Sequence, residues 1–326
     1  MKRRAGLLIV AVFLLAGCSP AGSPADAGGD ASDGNGAGWT TSRCLADASC
    51  PLPLVSAHRG LCGDEPENTL AAFLECQQLG VPMVELDPRQ TADGYWVIMH
   101  DSDVTRTTNG EELFPGRVRV DELTLAEFQQ LVIDDERCGD DPDADPARCH
   151  PPTLAAVIEG TSPQLLIDLD FKAGDPASVA TLIEEAGASG RILFFDADIA
   201  ALRSYHDITA GVVMPRAHDA GEVQQIITDH GGELALSWLH IDPAYLAEAQ
   251  AAAAPAGVRL YLNAWSYNVD TWLYAAELAG DEQQRAELEQ KAWDLLDELL
   301  AGGARGLGTD RAAQLSAHLY PDGFGN

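Results

Sequence analysis

From residue 54 onward, short apolar runs alternate with amphipathic helix-like stretches. Strand-like runs cover residues 54–58, 82–87, 95–100, 164–171, 191–195, 210–214, 234–238, 258–263 and 305–308. Helical spacing appears at 69–79, 125–132, 176–186, 221–229, 245–253 and 282–300. Strand and helix alternating at this rhythm predict parallel β/α units. The run 95–100 follows its predecessor too closely for a parallel crossover. Asp93-Gly94 between them is a hairpin turn signal, and a two-residue turn there would pair Asp87 with His100. The hairpin would rise above the C-terminal end of the second strand and bring His100 beside Asp87. The remaining eight strands predict an α/β fold, a (β/α)8 TIM barrel with a β-hairpin extension after strand 2.

The first residues do not belong to that pattern. Lys2, Arg3 and Arg4 precede an apolar run, residues 5–16, that is too short to span a bilayer and has the flanks of a secretory signal. It ends in Leu15-Ala16-Gly17-Cys18, which resembles a bacterial lipobox and implies cleavage before Cys18 and a lipid on its sulfur. Residues 19–38 are almost all Gly, Ala, Ser, Pro and Asp, the composition of a flexible tether. The expected organisation is a signal peptide at 1–17, a linker at 18–38 and a barrel domain at 39–326. The expected location is an exported, membrane-anchored one, on the periplasmic or cell-surface face.

The net charge of −31 argues against nucleic-acid binding, which needs Lys and Arg for phosphate. It also repels anionic substrates at long range, so an anionic ester would need local compensation, such as a bound divalent cation. Of seven cysteines, six remain once Cys18 is set aside. An even number in an exported chain predicts disulfides. Cys138 and Cys149 flank one Asp/Pro-rich loop and are the favoured pair. No Cys-x-x-Cys supports a zinc site.

The chemistry gathers at strand ends. Glu85 and Asp87 lie two apart, so both point the same way at the C-terminal end of a strand, where barrel enzymes keep their sites. Two carboxylates sharing one space repel unless one is protonated or a cation lies between them. Hard oxygen ligands favour one divalent metal, Mg²⁺ or Ca²⁺. Asp168, Asp170 and Lys172 share one parity. Asp170, nearer the mouth, is the better third ligand, with Asp168 a layer deeper and paired to Lys172 or a buried water. His58 closes the first strand and His100 the hairpin. Two histidines converging on carboxylates can divide the work of taking and giving a proton, each transfer being worth about 10²–10⁴-fold. Arg59 can fork onto phosphate oxygens. Trp238 and His240 lie near the end of the 234–238 run, where they could reach the mouth, pack in the core or sit in a solvated loop. His150, His206, His218, His230 and His318 belong to no motif. Gly302-Gly303 and Gly306-x-Gly308 read as turns, because no dinucleotide-binding strand–loop–helix unit accompanies them.

Taken in order, His58-Arg59-Gly60, Pro66-Glu67-Asn68-Thr69, Glu85-x-Asp87, Thr91-x-Asp93-Gly94, His100-Asp101 and Arg106-Thr107-Thr108-Asn109-Gly110 resemble the glycerophosphodiester phosphodiesterase family. Pro152-Thr153-Leu154, Asp170-x-Lys172, Trp265-Ser266-x-Asn268 and Thr309-Asp310 resemble its later blocks. The resemblance implies a barrel that hydrolyses glycerophosphodiesters to glycerol 3-phosphate and an alcohol with a divalent metal. By motif position it implies His58 and His100 as the acid/base pair and Glu85, Asp87 and Asp170 as metal ligands. Arg59 and Lys172 would hold phosphate, and Trp265 would form an aromatic wall near the glycerol. The family usually has Glu where this chain has Asp170, one methylene shorter. The segment Asn263-Ala264-Trp265 also departs from the family pattern, which bears on substrate choice. Two other readings stand beside this one: a related barrel phospholipase acting on lysophospholipids or phospholipids, and a non-catalytic phosphodiester-binding lipoprotein.

Overall fold

Among the described residues there are ten strands: β1 (Leu54–Ala57), β2 (Met83–Leu86), β3 (Pro88–Gln90), β4 (Trp96–Ile98), β5 (Leu166–Asp170), β6 (Ile192–Asp196), β7 (Val212–Pro215), β8 (Trp238–His240), β9 (Arg259–Asn263) and β10 (Ala304–Thr309). The structure, a computed structural model, describes residues 38–138 and 145–325. The expected signal peptide, Cys18 and most of the linker lie outside the described residues. Eight strands form one sheet in the order β7-β6-β5-β2-β1-β10-β9-β8, with every neighbouring pair parallel. The sheet curls until its two edges meet. Arg216 and His240 form a parallel bridge there, and the Ala217 N–H donates to the His240 carbonyl at 2.9 Å. This is the predicted (β/α)8 barrel, nearly closed. Among the described residues, no helix is long and apolar enough to cross a membrane.

The alternation along the strands sorts the side chains. Val55, Ala57, Val84, Leu86, Ile167 and Leu169 face outward into one large core beneath the helices. Leu54, Met83, Leu166, Leu193, Met214, Trp238 and Tyr261 fill the barrel interior. The helix Thr41–Ala46 plugs the bottom. Arg259 donates to the carbonyl of Leu45 at 2.5 Å and also to that of Cys44, and Trp238 Nε1 donates to Leu45 O at 2.9 Å.

β10 carries Gly306 and Gly308 on its interior face. A Cβ on Gly306 would lie 2.3 Å from the Tyr261 ring, and one on Gly308 would lie 2.7 Å from Asn263 Oδ1. These glycines are therefore strand positions that make room for Tyr261, not turns. The expected 234–238 strand is also displaced. Leu234 N–H bonds His230 O, Leu236 N–H bonds Gly231 O, and Ala235 takes a positive φ of 45°, so the preceding helix ends in turns. The strand starts only at Trp238, whose side chain packs in the barrel floor.

β3 and β4 form the predicted antiparallel hairpin after β2, slipped by one residue. Thr91 N–H bonds Tyr95 O, and Gly94 at φ 87° closes a three-residue loop of Ala92, Asp93 and Gly94 in place of the two-residue turn. Asp87 O consequently accepts from Met99 N–H at 2.9 Å rather than lying opposite His100. The excursion between β2 and β5 buries a small core of its own around Val97, Val104, Leu123 and Phe128. The predicted helix over 125–132 is shorter, Leu125–Phe128.

All six described cysteines are paired: Cys44–Cys50, Cys62–Cys76 and the expected Cys138–Cys149.

Candidate active site

The turn after β1 sets the first part of the site. Arg59 adopts φ 52° and Gly60 φ 75°, which folds the backbone back at once. A Cβ on Gly60 would lie 2.7 Å from the Phe73 ring, so glycine is needed for this close approach as well as for its φ. The reversal aims the Arg59 N–H at Glu85 Oε2, 2.6 Å away. The Arg59 carbonyl accepts from Asn68 N–H at 2.8 Å, and Asn68 Nδ2 in turn donates to Asp87 Oδ2 at 2.6 Å.

Glu85, Asp87 and Asp170 each bring one oxygen to within 4.8 Å of the others. Glu85 and Asp87 are buried, and Glu85 sits opposite Asp168 in the β2–β5 register. Burial, reinforced by Asp87, Asp170 and Asp168, pushes Glu85 well above the usual carboxylate range. Burial also acts on Asp87, but Lys172, Asn68 and His100 outweigh it and hold Asp87 low. Burial raises Asp170 despite Lys172 beside it. Lys172 Nζ lies 2.6 Å from Asp170 Oδ2 and 3.1 Å from Asp87 Oδ1. Of the two partners expected for Asp168, Lys172 is taken by Asp87 and Asp170. Asp168 instead accepts from Ser56 Oγ at 3.3 Å, one layer deeper, and burial pushes it up to about 7. It sits too low in the barrel for a lysine that reaches up toward the mouth.

Both histidines are anchored through Nδ1. His58 Nδ1 lies 2.7 Å from Asp310 Oδ1, just past the end of β10, and its ring lies 4.7 Å from that of Trp265. His100 Nδ1 lies 2.8 Å from Asp101 Oδ1. Arg89 donates to the His100 carbonyl at 2.6 Å and fixes that backbone. Asp101 also binds Arg106, whose guanidinium reaches Glu67 at 2.6 Å. Glu67 accepts from Arg59 at 3.1 Å as well. In each imidazole, Nδ1 is occupied by a carboxylate and Nε2 is left for other chemistry.

The expected residues thus converge on one mouth, the hairpin's one-residue slip notwithstanding. His58, Glu85, Asp170 and Trp265 line a common pocket, and His100 acts electrostatically on Asp87 and Asp170. Asp310, Asp270 and the far wall of Arg216, His240 and Asn263 were not assigned roles from sequence. Asp270 holds the Asp310 loop, accepting from Thr309 Oγ1 at 2.7 Å and from Asp310 N–H at 2.8 Å.

The profile of the glycerophosphoryl diester phosphodiesterase family matches residues 58–311, from the first histidine to the residue after Asp310. The chain belongs to this family. A glycerophosphodiester phosphodiesterase of Caldanaerobacter subterraneus subsp. tengcongensis is 46% identical over 78 residues, covering 24% of this chain and 30% of that protein. The Bos taurus glycerophosphodiester phosphodiesterase 1 is 47% identical over 75 residues, 23% of this chain and 21% of that one. The matches therefore span less than a third of either relative. Among solved structures, a glycerophosphoryl diester phosphodiesterase from Parabacteroides distasonis superposes with a TM-score of 0.62 at 20% identity, over 87% of this chain and 92% of that one. An Oleispira antarctica phosphodiesterase in complex with its product sn-glycerol-3-phosphate superposes with a TM-score of 0.58 at 21% identity, over 83% and 98%. At these identities the superpositions establish the shared barrel.

Proposed function

We propose that this protein hydrolyses glycerophosphodiesters to glycerol 3-phosphate and an alcohol, with a divalent cation held by Glu85, Asp87 and Asp170. The observation that carries this reading is a three-carboxylate cluster, two of its members buried, with two histidines that each have Nδ1 already tied to their own acid. The donor set fits a hard cation, since all three candidate ligands are carboxylates whose oxygens gather within 4.8 Å of one another. When bound, such a cation supplies a Lewis acid for the phosphate and a template for the neighbouring hydroxyl.

The chain's own residues do the rest. The Nε2 of one histidine takes a proton from the attacking hydroxyl or water, and the Nε2 of the other delivers one to the leaving oxygen. Asp310 and Asp101 keep each ring oriented and stabilise it when protonated. Arg59 and Lys172 hold phosphate oxygens, and Trp265, packed on His58, forms one wall for the glycerol.

The protein is further proposed to be exported and held at a membrane through a lipid on Cys18. The lipobox supports this, as does the pairing of all six other cysteines in disulfides. The test uses the full-length protein, stripped of metal, with glycerophosphocholine and glycerophosphoethanolamine. Glycerol 3-phosphate released only when Mg²⁺ or Ca²⁺ is restored, and lost in H58A and H100A, supports the reading. No release under any of these conditions rejects it.

A further inference from the structure

We infer that Arg216 reads the leaving group, and that the preferred diesters carry on their alcohol side an anion, either a carboxylate or a second phosphate. This rests on the proposed diesterase activity and goes beyond it by assigning the wall that the mechanism leaves unused. The acid cluster and His58 come from β1, β2 and β5. The seam of β7 and β8 lies across the barrel from β1 and β2 in the strand order, and Arg216 stands at its top, directly after β7.

Arg216 lines the same pocket as His58, Glu85 and Trp265. It is half-buried, and among the described residues its guanidinium makes no hydrogen bond or ion pair. Arg59 and Lys172 differ in this respect, being held by Glu67 and by Asp87 with Asp170. In a chain of net charge −31, an arginine left without a carboxylate inside a pocket is available to an anion that enters from outside.

A second observation comes from His240, across the seam bridge. It is 5% exposed, its ring is wedged between Phe195 and Tyr261 at 5.1 and 5.4 Å, and its Nδ1 has no hydrogen-bond partner among the described residues. Burial first, and then Arg216, hold this imidazole neutral, with its titration pushed down to about 4. The wall thus offers one fixed cation beside an unsatisfied neutral polar atom. That pairing suits an anionic group and repels a quaternary ammonium.

The test measures kcat/KM of the full-length enzyme for four diesters that share the glycerol phosphate half. These are glycerophosphocholine, glycerophosphoglycerol, and glycerophosphoglycerol bearing either a terminal phosphate or, in a separate arm, a terminal carboxylate. The unaltered protein is expected to favour an anionic diester over the choline one, and the two anionic arms tell which anion fits. R216Q should lower the anionic-to-neutral ratio by about tenfold or more, the scale of one charge-assisted hydrogen bond. R216E should shift preference toward choline, and R216K should keep part of the anionic preference, which separates loss of charge from loss of fold. A ratio unmoved by R216Q and R216E overturns the inference, as does an equal fall on every diester, which would place Arg216 on the reacting phosphate. If the unaltered protein turns over none of the diesters, the diesterase reading fails and takes this inference with it.

Discussion

Asp310 Oδ1 accepts from His58 Nδ1 across 2.7 Å, although 252 residues separate the two in sequence. The contact closes the barrel functionally, since β1 and β10 are neighbours and the residues just past their ends meet at the mouth. The hydrogen bond from His58 is the largest influence holding the Asp310 carboxyl below its usual range, so it stays ionised and fixes the proton on Nδ1. D310N should lower kcat by about 10- to 100-fold with little change in KM, the range seen when a partner that orients a functional histidine is removed. D310E should retain more activity than D310N. Steady-state kinetics on the three proteins checks this, and unchanged kcat in D310N would remove Asp310 from the mechanism.

His240 makes an acid-stability prediction. Its imidazole titrates in the fold at about 4 because it is buried, with Arg216 adding to the effect and Asn263 and Asp242 opposing it. An unfolded histidine titrates near about 6.5. Between those values the unfolded chain binds the extra proton and the folded chain does not, so stability rises with pH. The contribution is complete above about pH 6.5 and is lost as pH falls to about 4. The loss is at most roughly 3 kcal/mol by linkage. Denaturant titrations from pH 7 to pH 4 should show a shallower decline for H240Q than for the unaltered protein. Parallel declines would mean that the buried ring accepts a proton freely.

Gly306 makes a packing prediction. A methyl group there would meet the Tyr261 ring at 2.3 Å and Trp238 at 3.0 Å, both within a filled barrel floor. Neither ring can give way without disturbing the other, and overpacking of this kind typically costs about 1–3 kcal/mol. G306A should therefore lower the urea midpoint with an unchanged slope. G232A makes a control, because a Cβ at Gly232 meets nothing within 4 Å.

How much of this was readable in the sequence depended on the range of the interaction. Glu85, Asp87, Asp168 and Asp170 were legible as inward-facing because strand side chains alternate strictly. The hairpin was legible from Asp93-Gly94, but its register was not, since one glycine at positive φ serves two-residue and three-residue loops alike. The 234–238 run reads as a strand although its apolar residues bury the end of a helix, because periodicity does not distinguish the two. Gly306 and Gly308 read as turn residues in the sequence, since glycine marks both turns and close packing. Thr309-Asp310 resembles a family block and His240 lies near a strand end, but nothing local pairs Asp310 with His58 or His240 with Arg216. Only the closure of the barrel brings those residues together.

Asp170 is the third carboxylate of the cluster and comes from β5, whereas Glu85 lies on β2 and Asp87 directly follows it. It supplies one of three oxygens within 4.8 Å and is neutralised in part by Lys172 at 2.6 Å. If it is a ligand, D170A removes one bond to the cation while Glu85 and Asp87 remain. The divalent ion concentration for half-maximal activity should then rise at least about tenfold, a change worth about 1.4 kcal/mol. A second readout needs no turnover. A cation that binds the folded protein alone raises stability by about 2.7 kcal/mol at a hundredfold excess over Kd, so Mg²⁺ or Ca²⁺ should raise the Tm of the chelator-treated protein. That rise should shrink in D170A and largely return in D170E, which restores the carboxylate on a side chain one methylene longer. An undiminished Tm rise and an unchanged metal requirement in D170A would move the third ligand elsewhere. Asp168, opposite Glu85 and with its Oδ1 unbonded, would be the first residue to test.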